Sequence, residues 1–239
     1  MDERGFVKER QVENKIVVTC RYVSVLMSAI LKAKGIPARS RAGFAPYFRE
    51  GVSMDHWINQ YYNEKEKRWV TFDADGFYEE SGMPLSQYDM PKESFAWAAG
   101  AYLAVRRKET DGRQYLYADR LGTCSLPALV RYLVYDFHAL MNHELTYSFL
   151  PAYLDGRLDR LTQEELRELD RLAEWMLDAD QYFDRLCEVW EHERKFRILN
   201  SPLVGAYSHG AEGSGHGKVF ALSGEEGESA WNGLGAYEK

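Results

Sequence analysis

Long apolar runs are missing from this sequence of 239 residues. A membrane-spanning helix needs roughly 18 or more consecutive apolar residues, and no stretch of the chain approaches that length. The opening stretch, MDERGFVKERQVENK, is charged throughout and contains no apolar core of the kind that signal peptides carry. We therefore expect a protein without membrane contact and with a cytoplasmic location.

Cysteine and positive charge are also in short supply. The 3 cysteines, Cys20, Cys124 and Cys187, form no C-x-x-C pair, which is typical of reduced thiols rather than of a disulfide framework or a zinc site. Lys and Arg number 30 against 37 Asp and Glu, which leaves a net charge of -7. Because a nucleic-acid surface needs many cations along the phosphate backbone, we expect no nucleic-acid partner.

A helical pattern begins at Cys20. Thr19 can serve as its N-cap and Gly35 as its C-terminal glycine, and Pro37 prevents continuation. Apolar residues at helical spacing predict one buried face, formed by Val23, Leu26, Met27, Ile30 and Leu31. The pattern places Cys20 in the first turn of the helix.

Three strands are expected next. The stretch ARSRAGF predicts a strand with two arginines on one face and small or apolar side chains on the other, namely Ala38, Ser40, Ala42 and Phe44. The segments Trp57 to Tyr62 and Arg68 to Asp73, joined by the polar turn NEKEK, predict a β-hairpin.

The second half of the chain has helical patterns. One helix is predicted from Leu126 to about His143, and a second from Thr162, which forms a capping box with Glu165, to about Phe196 with at most one break.

These elements divide the chain into three parts. We expect an α+β core over 1–110, a helical region over 111–205, and a mobile or extended Gly/Ser/Glu-rich tail over 206–239.

Cys20 can be interpreted in two ways. A thiol in the first turn of a helix lies at the positive end of the helix dipole, which favours the reactive thiolate, yet free cysteine is also a common buried small hydrophobe. His56 and Asp73 favour the reactive interpretation, because the two strands of the predicted hairpin bring their ends side by side. An imidazole can then take the thiol proton while the carboxylate orients the ring.

The motifs CR..SVL...L..KGIPAR.R.GF and DHW, followed by RWV and a strand-end Asp, resemble the transglutaminase-like superfamily, in its bacterial branch. The resemblance implies a papain-like α+β core in which the helix bearing the cysteine packs on an antiparallel sheet. It also implies Cys20 as nucleophile, His56 as base and Asp73 as the orienting carboxylate, with Trp57 and Arg21 as candidate substrate-binding residues. The implied chemistry is acyl transfer or hydrolysis on a protein or peptide amide through a thioester.

Two residues depart from the family pattern. Val18 stands where relatives usually have glycine, and Tyr22 where they tend to have an acidic residue. Beyond the backbone N–H of Cys20, the oxyanion donor could be Gln11 or Asn14. Relatives also often have a helical segment before the cysteine. The residues before Cys20 show no such pattern, so we expect a more open cleft. The alternative function is therefore a catalytically inactive scaffold that binds a protein partner through its helical region.

Histidines elsewhere do not predict a metal site. His138 and His143 are five residues apart, which does not stack them on one face of a helix, and NHELT lacks the second histidine of a zinc-protease helix. His209 and His216 lie in the Gly-rich tail. We expect neither a metal nor a cofactor.

Overall fold

The computed structural model describes residues 11, 15, 18–75, 86–117, 124–143, 149–198, 203–206 and 218–221. Over these residues the fold is α+β, with an antiparallel sheet and helices around it. The described part of the chain contains no helix that is long and apolar enough to cross a membrane.

The main sheet has the strand order β3-β2-β1-β4, and the short β5 runs parallel to the start of β2. Its strands are β1 (Ala38–Ala45), β2 (Ser53–Asn63), β3 (Arg68–Phe72), β4 (Ala96–Trp97) and β5 (Tyr115–Leu116). The α-helices of the described residues are α1 (Cys20–Ala33), α2 (Ala98–Arg106), α3 (Leu126–Leu140), α4 (Gln163–Leu177) and α5 (Phe183–His192).

Helix α1 buries a polar face, so the predicted apolar face was wrong. Its buried residues are Arg21, Ser24 and Ser28, whereas Leu26 is half exposed. The reason is that serine side chains are small enough to bring the helix close to the sheet, where their hydroxyls find partners. Ser24 Oγ donates to the carbonyl of Ile58 at 2.8 Å, and Ser28 Oγ accepts from Asn59 at 2.8 Å.

The predicted end of α1 is confirmed. Gly35 has φ +76°, its N–H donates to the carbonyl of Lys32, and the N–H of Ile36 donates to the carbonyl of Leu31. This is a Schellman ending, which glycine adopts without a Cβ penalty. Thr19 does occupy the N-cap position, but its hydroxyl makes no cap hydrogen bond.

The hairpin β2–β3 is present, and β2 is longer than predicted. The register pairs Asn59 with Phe72 and Tyr61 with Val70. Strand β1 is buried along its whole length, and its two arginines are buried as well, because each is paired within the protein. A segment that includes Met90 covers the outer edge of β3 through a bridge to Thr71.

The helices after β5 pack against the sheet and against each other. Helix α3 ends three residues before the predicted end, and the capping box of Thr162 and Glu165 opens α4 as predicted. Most residues of α3 are buried. They belong to one hydrophobic cluster whose first members in the sequence lie in β1 and whose last member is Phe196. The domain boundaries remain predictions.

Two segments near the C-terminus form strands that the sequence did not predict. Strand β6 (Leu203–Ala206) pairs antiparallel with β7 (Lys218–Ala221). Each strand is only four residues long and lies in a segment rich in Gly, Ser and Glu, whose average composition does not indicate a strand. The remainder of the predicted tail lies outside the described residues.

Candidate active site

The β2–β3 hairpin brings His56 and Asp73 together. Asn59 and Phe72 form the last pair between β2 and β3, and Asp73 is the next residue after Phe72. Its side chain therefore lies beside β2. The distance between Asp73 Oδ2 and His56 Nε2 is 2.9 Å, and both side chains are almost completely buried.

Asp73 is held by two further hydrogen bonds. The hydroxyl of Tyr47 donates to Oδ2 at 2.8 Å, and the backbone N–H of Asp75 donates to Oδ1 at 3.0 Å. Burial by itself raises the pKa of Asp73, but the hydrogen bond and charge of His56, together with these two donors, lower it below its ordinary value. Asp73 is therefore held as a carboxylate in a fixed orientation.

Cys20 is the third predicted residue, and its role as the nucleophile remains a prediction. It is the first residue of α1, it is only partly buried, and it is close enough to His56 to help raise the pKa of the imidazole. The order cysteine, imidazole, carboxylate is the order of contacts that nucleophilic catalysis needs.

The environment of His56 favours its protonated form. Burial lowers the pKa of His56, but the hydrogen bonds to Asp73 and Cys20 and the charges of those two groups outweigh it and raise the pKa to about 10.

Two aromatic rings enclose the imidazole. The ring of Phe48 lies edge-on to that of His56 with centroids 4.8 Å apart, and the ring of Tyr47 lies edge-on at 6.3 Å. The sequence reasoning missed both residues, because they lie in the connection after β1, and no spacing rule links an FAPYF segment to a histidine in the next strand.

Arg21 and Trp57, the candidate substrate-binding residues, lie in the core. Their side chains are 2% and 1% exposed, and the guanidinium of Arg21 stacks over the indole of Trp57 at 4.5 Å and over the ring of Tyr135 at 5.0 Å. These contacts favour a role in packing the start of α1 against β2. Substrate binding by these two residues remains a prediction.

A buried ion pair ties α3 to the sheet beside the site. Both carboxylate oxygens of Asp136 accept from Arg41 at 2.8 Å, and Oδ1 also accepts from the backbone N–H of Ala42 at 2.9 Å. Closer to His56, the hydroxyl of Tyr132 donates to Asp55. Helix α3 therefore anchors β1 and the start of β2.

The other two cysteines differ from Cys20. Cys124 is buried, and burial together with the charge of Asp55 raises the pKa of its thiol to about 12. Burial and two nearby acidic residues, Glu191 and Asp184, also raise the pKa of Cys187.

His138 and His143 are in contact, contrary to the expectation from their spacing. Helix α3 ends at Leu140, and Asn142 has φ +56°, so the chain turns back. The Nδ1 atoms of the two rings are 3.3 Å apart, and Nε2 of His138 bonds the carbonyl of Phe196 at 2.8 Å. No group of three metal-ligating side chains occurs among the described residues. His209 and His216 lie outside them.

The residues that depart from the family pattern are exposed. Val18 and Tyr22, the two departures from the family pattern, are 46% and 48% exposed. Gln11 is exposed as well, whereas Asn14 lies outside the described residues.

Residues 10–74 match the family model of the transglutaminase-like superfamily, which confirms the resemblance. The matched segment is about a quarter of the chain and includes Cys20, His56 and Asp73. No curated protein and no solved structure matches the chain. At the level of the superfamily, the match indicates cysteine-based acyl transfer or hydrolysis.

Proposed function

We propose that the protein catalyses acyl transfer or hydrolysis on amide substrates, either glutamine side chains or peptide bonds, through a thioester on Cys20. The observation that supports this most strongly is the position of His56, which is buried, hydrogen-bonded to Asp73 and close enough to Cys20 to interact with it. A histidine held between a carboxylate and a thiol is the arrangement that activates a cysteine nucleophile.

In the first half-reaction, the thiolate of Cys20 attacks the amide carbon and forms an S–C bond. The carbonyl oxygen then carries the negative charge, and the backbone N–H groups at the start of α1 provide the nearest positive end of a dipole. His56 gives its proton to the leaving nitrogen, the C–N bond breaks, and a thioester remains.

In the second half-reaction, neutral His56 takes a proton from water or from a primary amine as that nucleophile attacks the thioester carbon. The C–S bond breaks, the thiolate leaves, and the pair returns to its starting state. Asp73 stabilises the imidazolium and fixes the ring throughout.

We expect water to be the more effective acceptor. Cys20 is only partly buried, so we expect water to reach its thioester, and Val18, which stands where relatives usually have glycine, should narrow the approach of a larger amine. Hydrolysis of the thioester should therefore exceed transfer to an amine.

The test is incubation of the full chain with a library of glutamine peptides and a labelled primary amine, with both products read by mass spectrometry. We expect deamidated peptides in excess of amine adducts, and neither product from Cys20→Ala. Cys124→Ala is the matched control and should retain activity, because Cys124 lies outside the site. Absence of both products with the wild-type protein would contradict the proposal. An excess of amine adduct would contradict only the preference for water.

The second candidate function is an inactive scaffold that binds a protein partner. It is favoured by exposed apolar side chains at the start of α1: Val18, just before the helix, is 46% exposed, and Tyr22 and Leu26, one turn apart within it, are 48% and 50% exposed. Exposed apolar patches often mark interaction sites. On this alternative, the wild-type protein and Cys20→Ala would both lack turnover, and Leu26→Glu would weaken partner binding.

A further inference from the structure

A cavity of about 630 Å³ lies on the sheet outside the site described above. Among the described residues that line it are five cationic side chains, Arg39, Arg41, Lys67, Arg68 and Lys92, against three acidic ones, Asp89, Asp178 and Asp180. Three of these cations, Arg41, Lys67 and Arg68, also pair with acidic residues that lie outside the lining. Its lining includes neither Cys20 nor His56, so the cavity is a separate feature of the fold.

Two of the arginines are fixed by a shared glutamine. Arg39 and Arg41 alternate along β1 and point to the same face of the sheet. Gln60 Oε1 accepts from Arg39 Nε at 2.8 Å and from Arg41 Nη1 at 3.2 Å, and its Nε2 donates to Thr71 Oγ1 at 3.1 Å. The glutamine therefore holds both guanidinium groups in place.

Each guanidinium also stacks on an indole ring. The Cζ atom of Arg39 is 3.9 Å from the ring centroid of Trp69, and that of Arg41 is 4.6 Å from that of Trp97. Stacking fixes the plane of a guanidinium and leaves its N–H groups directed along that plane. An anion that binds there need not order flexible side chains first, which lowers the entropic cost of binding.

The two arginines differ in how they are neutralised. Arg41 has a buried carboxylate partner in Asp136. Arg39 pairs through Nη2 with Asp180 at 2.9 Å, and the Asp180 side chain is 54% exposed. No hydrogen-bond partner of Arg39 Nη1 occurs within the described part of the chain.

The charge of Arg39 is therefore incompletely compensated. Burial and the neighbouring charge of Arg41 lower the pKa of Arg39 to about 10 despite the contact with Asp180. Because exposed ion pairs contribute little, Asp180 can return to water at small cost when another carboxylate takes its place.

We propose that this cavity binds a small organic carboxylate, whose carboxylate group pairs with Arg39 and whose apolar body lies against the cavity wall. The apolar part of the wall is formed by Tyr62, Met90, Trp97 and Leu177. The volume falls in the range of about 300–1,000 Å³ that is usual for small-molecule sites. The hydrogen bond from Arg39 to Asp180 shows that this guanidinium can bind a carboxylate. The proposal does not depend on catalysis by Cys20.

The test is calorimetric titration of the full chain with sodium benzoate at constant ionic strength, with benzamide as the uncharged probe of the same shape. We expect saturable 1:1 binding of benzoate and at least about tenfold weaker binding of benzamide, because only the carboxylate makes charge-assisted hydrogen bonds. No binding of benzoate, or equal binding of the two probes, would overturn the proposal.

Two variants that each remove one positive charge distinguish binding at Arg39 from general electrostatic attraction to the protein. Arg39→Gln should weaken benzoate binding at least about tenfold, whereas Arg185→Gln should change it less than about twofold, because Arg185 is exposed, paired with Glu188 and outside the cavity. Equal weakening by the two variants would contradict a site centred on Arg39.

Asp180→Asn keeps the test decisive if Arg39→Gln does not fold. Its side chain is exposed, so the fold should persist, and loss of the competing carboxylate should tighten benzoate binding about threefold. Unchanged or weaker binding by Asp180→Asn would show that the carboxylate does not bind at Arg39.

Discussion

The hydroxyl of Tyr47 donates a hydrogen bond to Asp73 at 2.8 Å, on the same carboxylate oxygen that pairs with Nε2 of His56. The two donors approach from different segments, one from the connection after β1 and the other from β2. The orientation of the carboxylate therefore depends on both.

Tyr47→Phe should lower stability in a pH-dependent way. The Tyr47 hydrogen bond helps to lower the pKa of Asp73 in the folded state, so its contribution is present above the unfolded pKa of Asp and is lost as the pH falls through the folded pKa. We expect a loss of about 1–2 kcal/mol at pH 7 that shrinks towards pH 3, measured by urea unfolding. Tyr88→Phe, at an exposed tyrosine, is the control and should change nothing.

Cys20 should react with iodoacetamide faster than the other two thiols at pH 7. Cys20 is only partly buried and interacts with His56, whereas burial raises the pKa of both Cys124 and Cys187. His56→Ala should slow the labelling of Cys20 alone. Peptide mapping after timed quenching measures all three rates, and similar rates in the folded protein would rule out a special environment for Cys20.

Asp136→Asn should be strongly destabilising. The substitution keeps the shape of the side chain but leaves the buried guanidinium of Arg41 without its counter-charge, for an expected loss of about 3–5 kcal/mol. Thermal unfolding measures the effect. Asp89→Asn removes an acid from the exposed pair with Arg68 and should barely move the midpoint. A similar change in both variants would show that the buried pair has no special role.

Gly43→Ala should disturb the sheet next to His56, its partner in the register. A Cβ at this position would lie 2.3 Å from the carbonyl oxygen of Ala96 and 2.5 Å from a ring carbon of Phe95, so β4 would have to move. We expect a lower melting temperature and slower labelling of Cys20.

Gly100→Ala is the control for that variant. Its Cβ would meet nothing closer than 3.7 Å, and replacement of a helical glycine usually adds about 0.5–1 kcal/mol of stability. Equal melting temperatures for the two variants would contradict the predicted clash.

Acid should destabilise the protein through His138. Burial, followed by the charges of His143 and Arg21, lowers the pKa of His138 to about 4. Because the unfolded state takes up this proton near pH 6.5 and the folded state does not, stability is retained above pH 6.5 and falls between pH 6.5 and 4. We expect a loss of about 2 kcal/mol from pH 7 to pH 5 through this group.

The comparison of wild type with His138→Gln in urea unfolding isolates the contribution of His138. The variant should lose less stability between pH 7 and pH 5 than the wild type does. Parallel losses in the two proteins would assign the acid sensitivity to other groups.

Local interactions were readable from the sequence alone. The capping box of Thr162 and Glu165, the glycine ending of α1 at Gly35 and the hairpin β2–β3 involve residues close together in the chain, so their side-chain types and spacing suffice to predict them. The convergence of His56 and Asp73 follows from that hairpin.

Long-range contacts were decided only by the tertiary structure. The sequence suggested an apolar buried face for α1, but hydroxyl partners on the sheet, such as the Ile58 carbonyl, made the serine face the buried one. Arg41 and Asp136 are 95 residues apart, and the sequence around each one predicts an exposed charged residue. Their pairing, like the donation of Tyr47 to Asp73, depends on which elements pack together, because burial and hydrogen-bond partners arise between segments that no local pattern connects.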